Sequence, residues 1–103
     1  MIKLLALVVM LVLVSAFSAA AQKYESDVFE TTAGNLKITF LGHGSLIFTL
    51  GEKTIYVDPV SQWADFSQFP RADVILLTHE HSDHLDAKAL ALLRTDKTGV
   101  VGP

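Results

Sequence analysis

The distribution of apolar residues changes twice before a regular pattern begins. Residues 4–14 form an uninterrupted apolar run, and residues 22–35 are mostly polar with weak periodicity. From residue 36 to residue 41, apolar and polar side chains alternate, and several of them are β-branched or aromatic. This alternation predicts a strand. We expect the polar segment before it to be a leader or an edge of the structure.

Two further strands are expected directly after the first. Residues 45–50 and 53–57 contain further β-branched and aromatic residues. They are separated by Gly51 and Glu52, a two-residue loop with glycine first. Such a loop is typical of a hairpin whose turn needs a positive φ at its first position. The returning strand ends at Asp58.

The next part of the chain predicts a cover followed by a buried strand. Trp63, Phe66 and Phe69 are spaced three residues apart, which indicates a short helical or turn-rich segment that Pro70 ends. Residues 73–78 contain a continuous apolar run. A run of this length, bounded by polar residues, predicts a strand that is covered on both faces.

A short helix and a last strand complete the pattern. Residues 86–94 predict a helix with Asp86 as its N-cap and Arg94 near its C-terminal end. Residues 98–101, which are rich in β-branched side chains, predict one more strand. The order of hairpins, strand, loop, helix and strand indicates an α/β domain with a mixed sheet.

Composition narrows the classes of protein that are possible. The 103 residues allow at most one domain. The absence of cysteine excludes disulfide bonds and thiolate metal sites. The net charge is −3, which gives no electrostatic reason to bind nucleic acid, and we expect no nucleic-acid partner.

The N-terminal apolar run has the features of a signal peptide. Its 11 residues follow Lys3 and are followed by small residues ending in Ala19, Ala20 and Ala21, an arrangement that favours cleavage after Ala21. We therefore interpret residues 1–21 as a signal peptide and expect a secreted or periplasmic protein. The alternative is an uncleaved anchor, which would be the only contact with a membrane.

The chemistry is concentrated in one loop. His79, His81 and His84 lie within six residues, together with Asp83. These residues follow the predicted buried strand and precede the predicted helix, at the end of a strand where α/β proteins bind ligands. Imidazole and carboxylate are ligands for zinc and similar metals. The spacing indicates two neighbouring metal positions, and the alternative is a histidine-rich loop that binds metal adventitiously.

The pattern H-x-H-x-D-H at residues 79–84 resembles the signature of the metallo-β-lactamase superfamily. Segments 41–45, 55–59 and 72–78 are similar to the branch of metal-dependent hydrolases related to ascorbate-phosphate lactonases. The resemblance covers residues 36–103 and implies the N-terminal half of an αββα sandwich. Residues 22–35 would be a leader segment, outside that domain.

The resemblance also implies roles for individual residues. His79 and His81 correspond to ligands of a first metal, and Asp83 and His84 to ligands of a second metal. Asp83 is in addition the catalytic candidate, because in the family it orients the attacking water and takes up a proton. The implied cofactor is zinc, with two divalent ions in the full-length family and manganese or iron as alternatives.

Two residues outside the loop are further candidates. The resemblance places Asp58 behind the metal loop as a supporting acceptor, and the alternative is a turn residue before Pro59. His43 lies between Gly42 and Gly44 at the mouth of the implied site, where it would touch substrate or metal. The alternative for His43 is a turn histidine without a functional contact.

The implied activity is hydrolysis of a small-molecule ester, lactone or phosphoester by a metal-bound hydroxide. The family takes further ligands from a second half of the fold, and this sequence has no histidine after His84. We therefore expect a truncated fragment that is inactive alone, of unknown oligomeric state. The alternative is a non-catalytic or vestigial metal-binding protein that is exported.

Overall fold

The computed structural model describes residues 24–103, and the predicted signal peptide lies outside the described residues. The described chain forms one sheet of six strands, which lie side by side in chain order. The strands are β1 (Ser26–Thr31), β2 (Gly34–Gly42), β3 (Ser45–Leu50), β4 (Lys53–Val57), β5 (Val74–Leu76) and β6 (Gly99–Val101). A 3-10 helix (Phe66–Gln68) and helix α1 (Ala87–Leu93) complete the fold.

The sheet is mixed, as the sequence predicts. Strands β1 to β4 pair antiparallel through hairpins. Strand β5 pairs parallel to β4, and β6 pairs parallel to β5. The chain between β5 and β6 contains the histidine loop and α1. The N-cap of α1 is Asp86, as predicted, and its carboxylate accepts a hydrogen bond from the Lys88 amide. The α/β class and the mixed sheet are therefore confirmed.

The hydrophobic core lies where the helical segments pack on β4 and β5. Tyr56, Ile75 and Leu93 are fully buried, and Phe66 of the 3-10 helix is almost so. The ring of Phe66 meets the ring of Tyr56 edge to face, with their centroids 5.9 Å apart, an arrangement favoured by aromatic quadrupoles. This core holds β4 and β5 in place, and β5 leads directly to the histidine loop.

The structure refines the predicted pattern at the edge of the sheet and at β5. Of the two alternatives for the polar segment, leader or edge, the edge holds for residues 26–31: they form strand β1, which pairs with β2 at the edge of the sheet, and all of them are exposed. Strand β5 is shorter than the predicted run 73–78 and is not covered on both faces, since Leu76 is 37% exposed. A regular strand needs a paired neighbour over its whole length, and β5 pairs with β4 and β6 over only three residues.

The turn between β2 and β3 has an unusual backbone. The register of this pair shifts between Phe40 and Gly42, which marks a bulge. Gly42 has φ 139° and His43 has φ 50°, so a residue with a side chain occupies the left-handed region that glycine favours. Bulges re-aim side chains next to them, and His43 directly follows this bulge.

Within the described part of the chain, none of the helices is long and apolar enough to cross a bilayer.

Candidate metal centre

Three segments meet at one edge of the sheet. The parallel pairing of β4 and β5 brings the end of β4 beside the start of the histidine loop, and the amide of Asp58 donates to the carbonyl of Leu76 at 2.9 Å. The turn between β2 and β3 lies at the same edge, because the Ser45 hydroxyl donates to the carbonyl of Asp58 at 2.5 Å. The candidate residues therefore converge although they are up to 41 positions apart in the chain.

Asp58 is a buried carboxylate that accepts hydrogen bonds from Thr78 and His84. Only 1% of the residue is exposed. One carboxylate oxygen accepts from the Thr78 amide at 2.8 Å, and the other accepts from the Thr78 hydroxyl at 2.6 Å. Burial alone raises the pKa of the Asp58 carboxyl, but the hydrogen bonds from Thr78 and His84 outweigh it, and the pKa lies below its ordinary value. Asp58 is thus ionised at neutral pH.

His84 is oriented by that carboxylate. Its Nδ1 lies 2.6 Å from Oδ2 of Asp58, and since an ionised carboxylate only accepts, Nδ1 carries the hydrogen. The opposite nitrogen, Nε2, points away from Asp58 and lies 3.4 Å from Oδ2 of Asp83. A carboxylate behind an imidazole in this way fixes the ring and its tautomer in many metal sites.

Asp83 is contacted by two histidines. Besides His84, the Nε2 of His43 lies 3.0 Å from Oδ2 of Asp83. Burial alone raises the pKa of the Asp83 carboxyl, but the hydrogen bond from His43 and the nearby imidazoles outweigh it, so the pKa is lowered. The side chains of His43 and Asp83 are 46% and 53% exposed, which leaves this part of the site open to small molecules.

His79 and His81 lie next to each other and form a group with Asp83. Their rings are nearly perpendicular, with centroids 4.8 Å apart. The Nδ1 of His79 lies 2.9 Å from the Thr78 hydroxyl, which therefore contacts both His79 and Asp58. The ring of His79 also packs against the ring of His84, with centroids 3.8 Å apart.

The six candidate residues form three overlapping groups with metal-ligand chemistry. In each group the ligand atoms lie within 4.8 Å of one another. The groups are His43, Asp83 and His84; Asp58, His79 and His84; and His79, His81 and Asp83. Asp83 belongs to the first and third groups, so its carboxylate lies between two candidate metal positions. The residues fit divalent metals by their chemistry, since imidazole and carboxylate suit zinc, manganese and iron.

Gly44 provides the space that this arrangement needs. A Cβ on Gly44 would lie 2.9 Å from Cε1 and 3.2 Å from Nδ1 of the His84 ring. The sequence pattern indicates neither this contact of Gly44 with His84 nor the hydrogen bonds of Thr78 to Asp58. The signals available were the position of Thr78 directly before His79 and that of Gly44 directly after His43.

Comparisons with known proteins agree with the geometry. The profile of the β-lactamase superfamily domain matches residues 37–97. A protein of Christiangramia forsetii named as a metal-dependent hydrolase is 43% identical over an alignment of 63 residues, and the match covers 54% of this chain and 28% of that protein. A protein of Flavobacterium johnsoniae with the same description is 44% identical over 63 residues, with the same shares.

A solved structure is similar in fold as well. The crystal structure of a protein from Parabacteroides distasonis, described as a metal-dependent hydrolase, matches with a TM-score of 0.72 and 49% identity. The match covers 75% of this chain and 36% of the other chain. The chain therefore matches only about a third or less of the length of these relatives.

Proposed function

This chain belongs to the β-lactamase superfamily, and from that premise we propose that its candidate metal centre is the active site of a hydrolase. The substrate class we propose is a small-molecule ester, lactone or phosphoester. The observation that carries the proposal is the convergence of His79, His81, Asp83 and His84 at the edge where β4 and β5 end. Four such side chains in one loop, with His84 supported by Asp58, match a metal-assisted hydrolytic site.

The ligand assignment follows the geometry of the loop. His79 and His81 would hold a first divalent metal, and Asp83 and His84 a second, with zinc as the proposed ion. A bound divalent metal supplies a Lewis acid and lowers the pKa of coordinated water. The contact of Asp58 with Nδ1 of His84 leaves Nε2 as the ring nitrogen that faces the proposed metal position, an arrangement common among metal-binding histidines.

Asp83 is the proposed catalytic residue. Its carboxylate is ionised at neutral pH, in agreement with its lowered pKa. In the proposed role, one of its oxygens accepts a hydrogen bond from the attacking water and takes up a proton as the reaction proceeds. Its exposure lets a substrate reach that oxygen. The His43 ring, whose Nε2 lies 3.0 Å from Oδ2 of Asp83, limits the rotation of the carboxylate beside the two metal positions.

The proposal is tested by turnover on defined substrates. The full-length protein that contains these residues is loaded with zinc and assayed with p-nitrophenyl acetate, a γ-lactone and bis-p-nitrophenyl phosphate, because little or no turnover is expected from the 103-residue chain alone. Turnover of one class is expected, with a loss of at least about a hundredfold in His79→Ala or on chelation. Glu80→Ala is the matched control, because Glu80 lies in the same loop but in none of the ligand groups. Turnover that survives in His79→Ala without bound metal contradicts the proposal, and metal binding without turnover favours the non-catalytic alternative.

We also propose that the protein is exported to the periplasm or secreted. The support is the apolar run 4–14 and the small residues that end at Ala21. Mass spectrometry of the protein recovered from the producing cells is expected to find Gln22 as the first residue. An intact N-terminus in the membrane fraction would favour the anchor instead.

A further inference from the structure

We propose that His43 is a third protein ligand of the metal position that Asp83 and His84 form. The inference rests on the proposed function, because it takes the loop to be a metal centre. It goes further by assigning a ligand to the turn between β2 and β3, outside the H-x-H-x-D-H motif. A position built from His43, Asp83 and His84 would have three protein ligands, the number that catalytic zinc sites normally have.

The distances between donor atoms support this assignment. Ligand atoms with metal bonds of about 2.0–2.2 Å are about 2.8–3.1 Å apart at a right angle and about 3.3–3.6 Å apart in a tetrahedron. The Nε2 of His43 lies 3.0 Å from Oδ2 of Asp83, and the Nε2 of His84 lies 3.4 Å from that oxygen. Both spacings are those of neighbouring ligands on one ion.

The backbone of His43 adopts a conformation that costs free energy and that the surrounding structure must stabilise. A residue other than glycine in the left-handed region costs about 1–2 kcal/mol, and His43 has φ 50°. Among the described residues the other such case is Asp58, with φ 44°. Both strained residues contact the same metal-binding loop, and strain of this kind persists at functional sites.

Packing holds the His43 ring toward Asp83. The indole of Trp63 stacks on that ring, with an interplanar angle of 23° and centroids 6.0 Å apart. Trp63 can approach because Gly42 has no side chain, and a Cβ there would lie 2.9 Å from the indole. The rings of His43 and His84 are 5.1 Å apart. These contacts fix the orientation of the His43 ring relative to Asp83.

The competing role for His43 is that of a hydrogen-bond donor to Asp83. The two roles differ in the state of Nε2. As a donor, Nε2 keeps its hydrogen when the site is loaded with metal. As a ligand, Nε2 must be free of hydrogen: a neutral ring then carries its hydrogen on Nδ1, and a charged ring releases one proton.

Nitrogen-15 NMR of the histidine side chains in the full chain distinguishes the two roles during a zinc titration. The four histidines are assigned by single substitutions. The expected result is that the Nε2 resonance of His43 moves to the range of metal-bound nitrogen at saturation. A His43 Nε2 that stays protonated while His79, His81 and His84 change overturns the inference alone. No change in any histidine overturns the proposed function as well.

Calorimetric zinc titration of variants gives a second readout. His43→Gln keeps an amide donor that can reach Asp83, and it is expected to lose one zinc equivalent or bind it at least about tenfold more weakly. His81→Ala is expected to weaken the other equivalent. Wild-type affinity at both positions in a folded His43→Gln chain contradicts the assignment.

Discussion

Replacing Gly44 with alanine perturbs the metal centre by a single methyl group. The φ angle of Gly44 is not in the left-handed region, so alanine fits the backbone without strain there. The new Cβ would lie 2.9 Å from Cε1 of His84, whereas ordinary contacts begin at about 3.4 Å. The imidazole must therefore retreat by about 0.5 Å, which equals the tolerance within which site residues must be held.

The expected magnitude follows from the contacts that the ring would lose. Displacing His84 lengthens its 2.6 Å hydrogen bond to Asp58 and moves Nε2 away from Asp83. Disturbing the support of a metal ligand typically lowers metal affinity about 10–100-fold. Overpacking at a well-packed position costs about 1–3 kcal/mol of folding stability. Gly44→Ala should therefore fold, with a lower melting temperature and weaker zinc binding.

Calorimetric zinc titration and thermal unfolding of the same sample measure both effects. Gly99→Ala is the matched control, since a Cβ there meets its neighbours at 3.9 Å, an ordinary contact, and is expected to be neutral or slightly stabilising. A Gly44→Ala chain with the zinc affinity and melting temperature of the wild type would refute the claim that His84 is held against Gly44 by Asp58.

Three further predictions follow from single contacts. Asp58→Asn removes the charged acceptor of Thr78 and His84 and should lower the free energy of unfolding by about 2 kcal/mol in a denaturant titration; an unchanged midpoint would contradict it. Burial raises the pKa of Tyr56 to about 12 from 10.0, so the stability linked to its neutral hydroxyl is complete below pH 10 and is lost as the pH rises to 12. This loss amounts to at most about 2.7 kcal/mol and should be absent in Tyr56→Phe. Equal pH dependence of the wild type and Tyr56→Phe between pH 10 and pH 12 would contradict the raised pKa. Asp86→Ala removes the cap of α1 and the acceptor of the Ser61 amide, and thermal unfolding should show a loss of about 1 kcal/mol; a loss below about 0.3 kcal/mol would argue against the cap.

The sequence predicted those elements whose side-chain pattern is local. Strands β2, β3 and β4 carry apolar side chains in a short-period pattern and were predicted nearly to the residue, and Gly51 has the expected positive φ of 58°. Strand β1 was not recognised as regular structure, because all of its residues are exposed. No hydrophobic face marks it, and it is defined by its pairing with β2.

The contacts inside the candidate site could be predicted only in part. The loop 79–84 and its strand–loop–helix context are visible in the sequence. The contact of His43 with Asp83 joins residues 40 positions apart, and that of Asp58 with His84 joins residues 26 positions apart. Such contacts depend on the parallel pairing of β4 with β5 and on the bulge in β2. The space at Gly44 exists only once these segments have come together.

The central claim, that the loop 79–84 is a divalent-metal centre, is tested most directly by the zinc content of the purified chain. The chain is dialysed against zinc, freed of unbound metal and measured by elemental mass spectrometry. Two zinc equivalents per chain are predicted for the wild type and for Glu80→Ala, and less than one for the double variant His79→Ala with His84→Ala. Equal zinc in the double variant and the wild type, or no zinc in the wild type, would contradict the account.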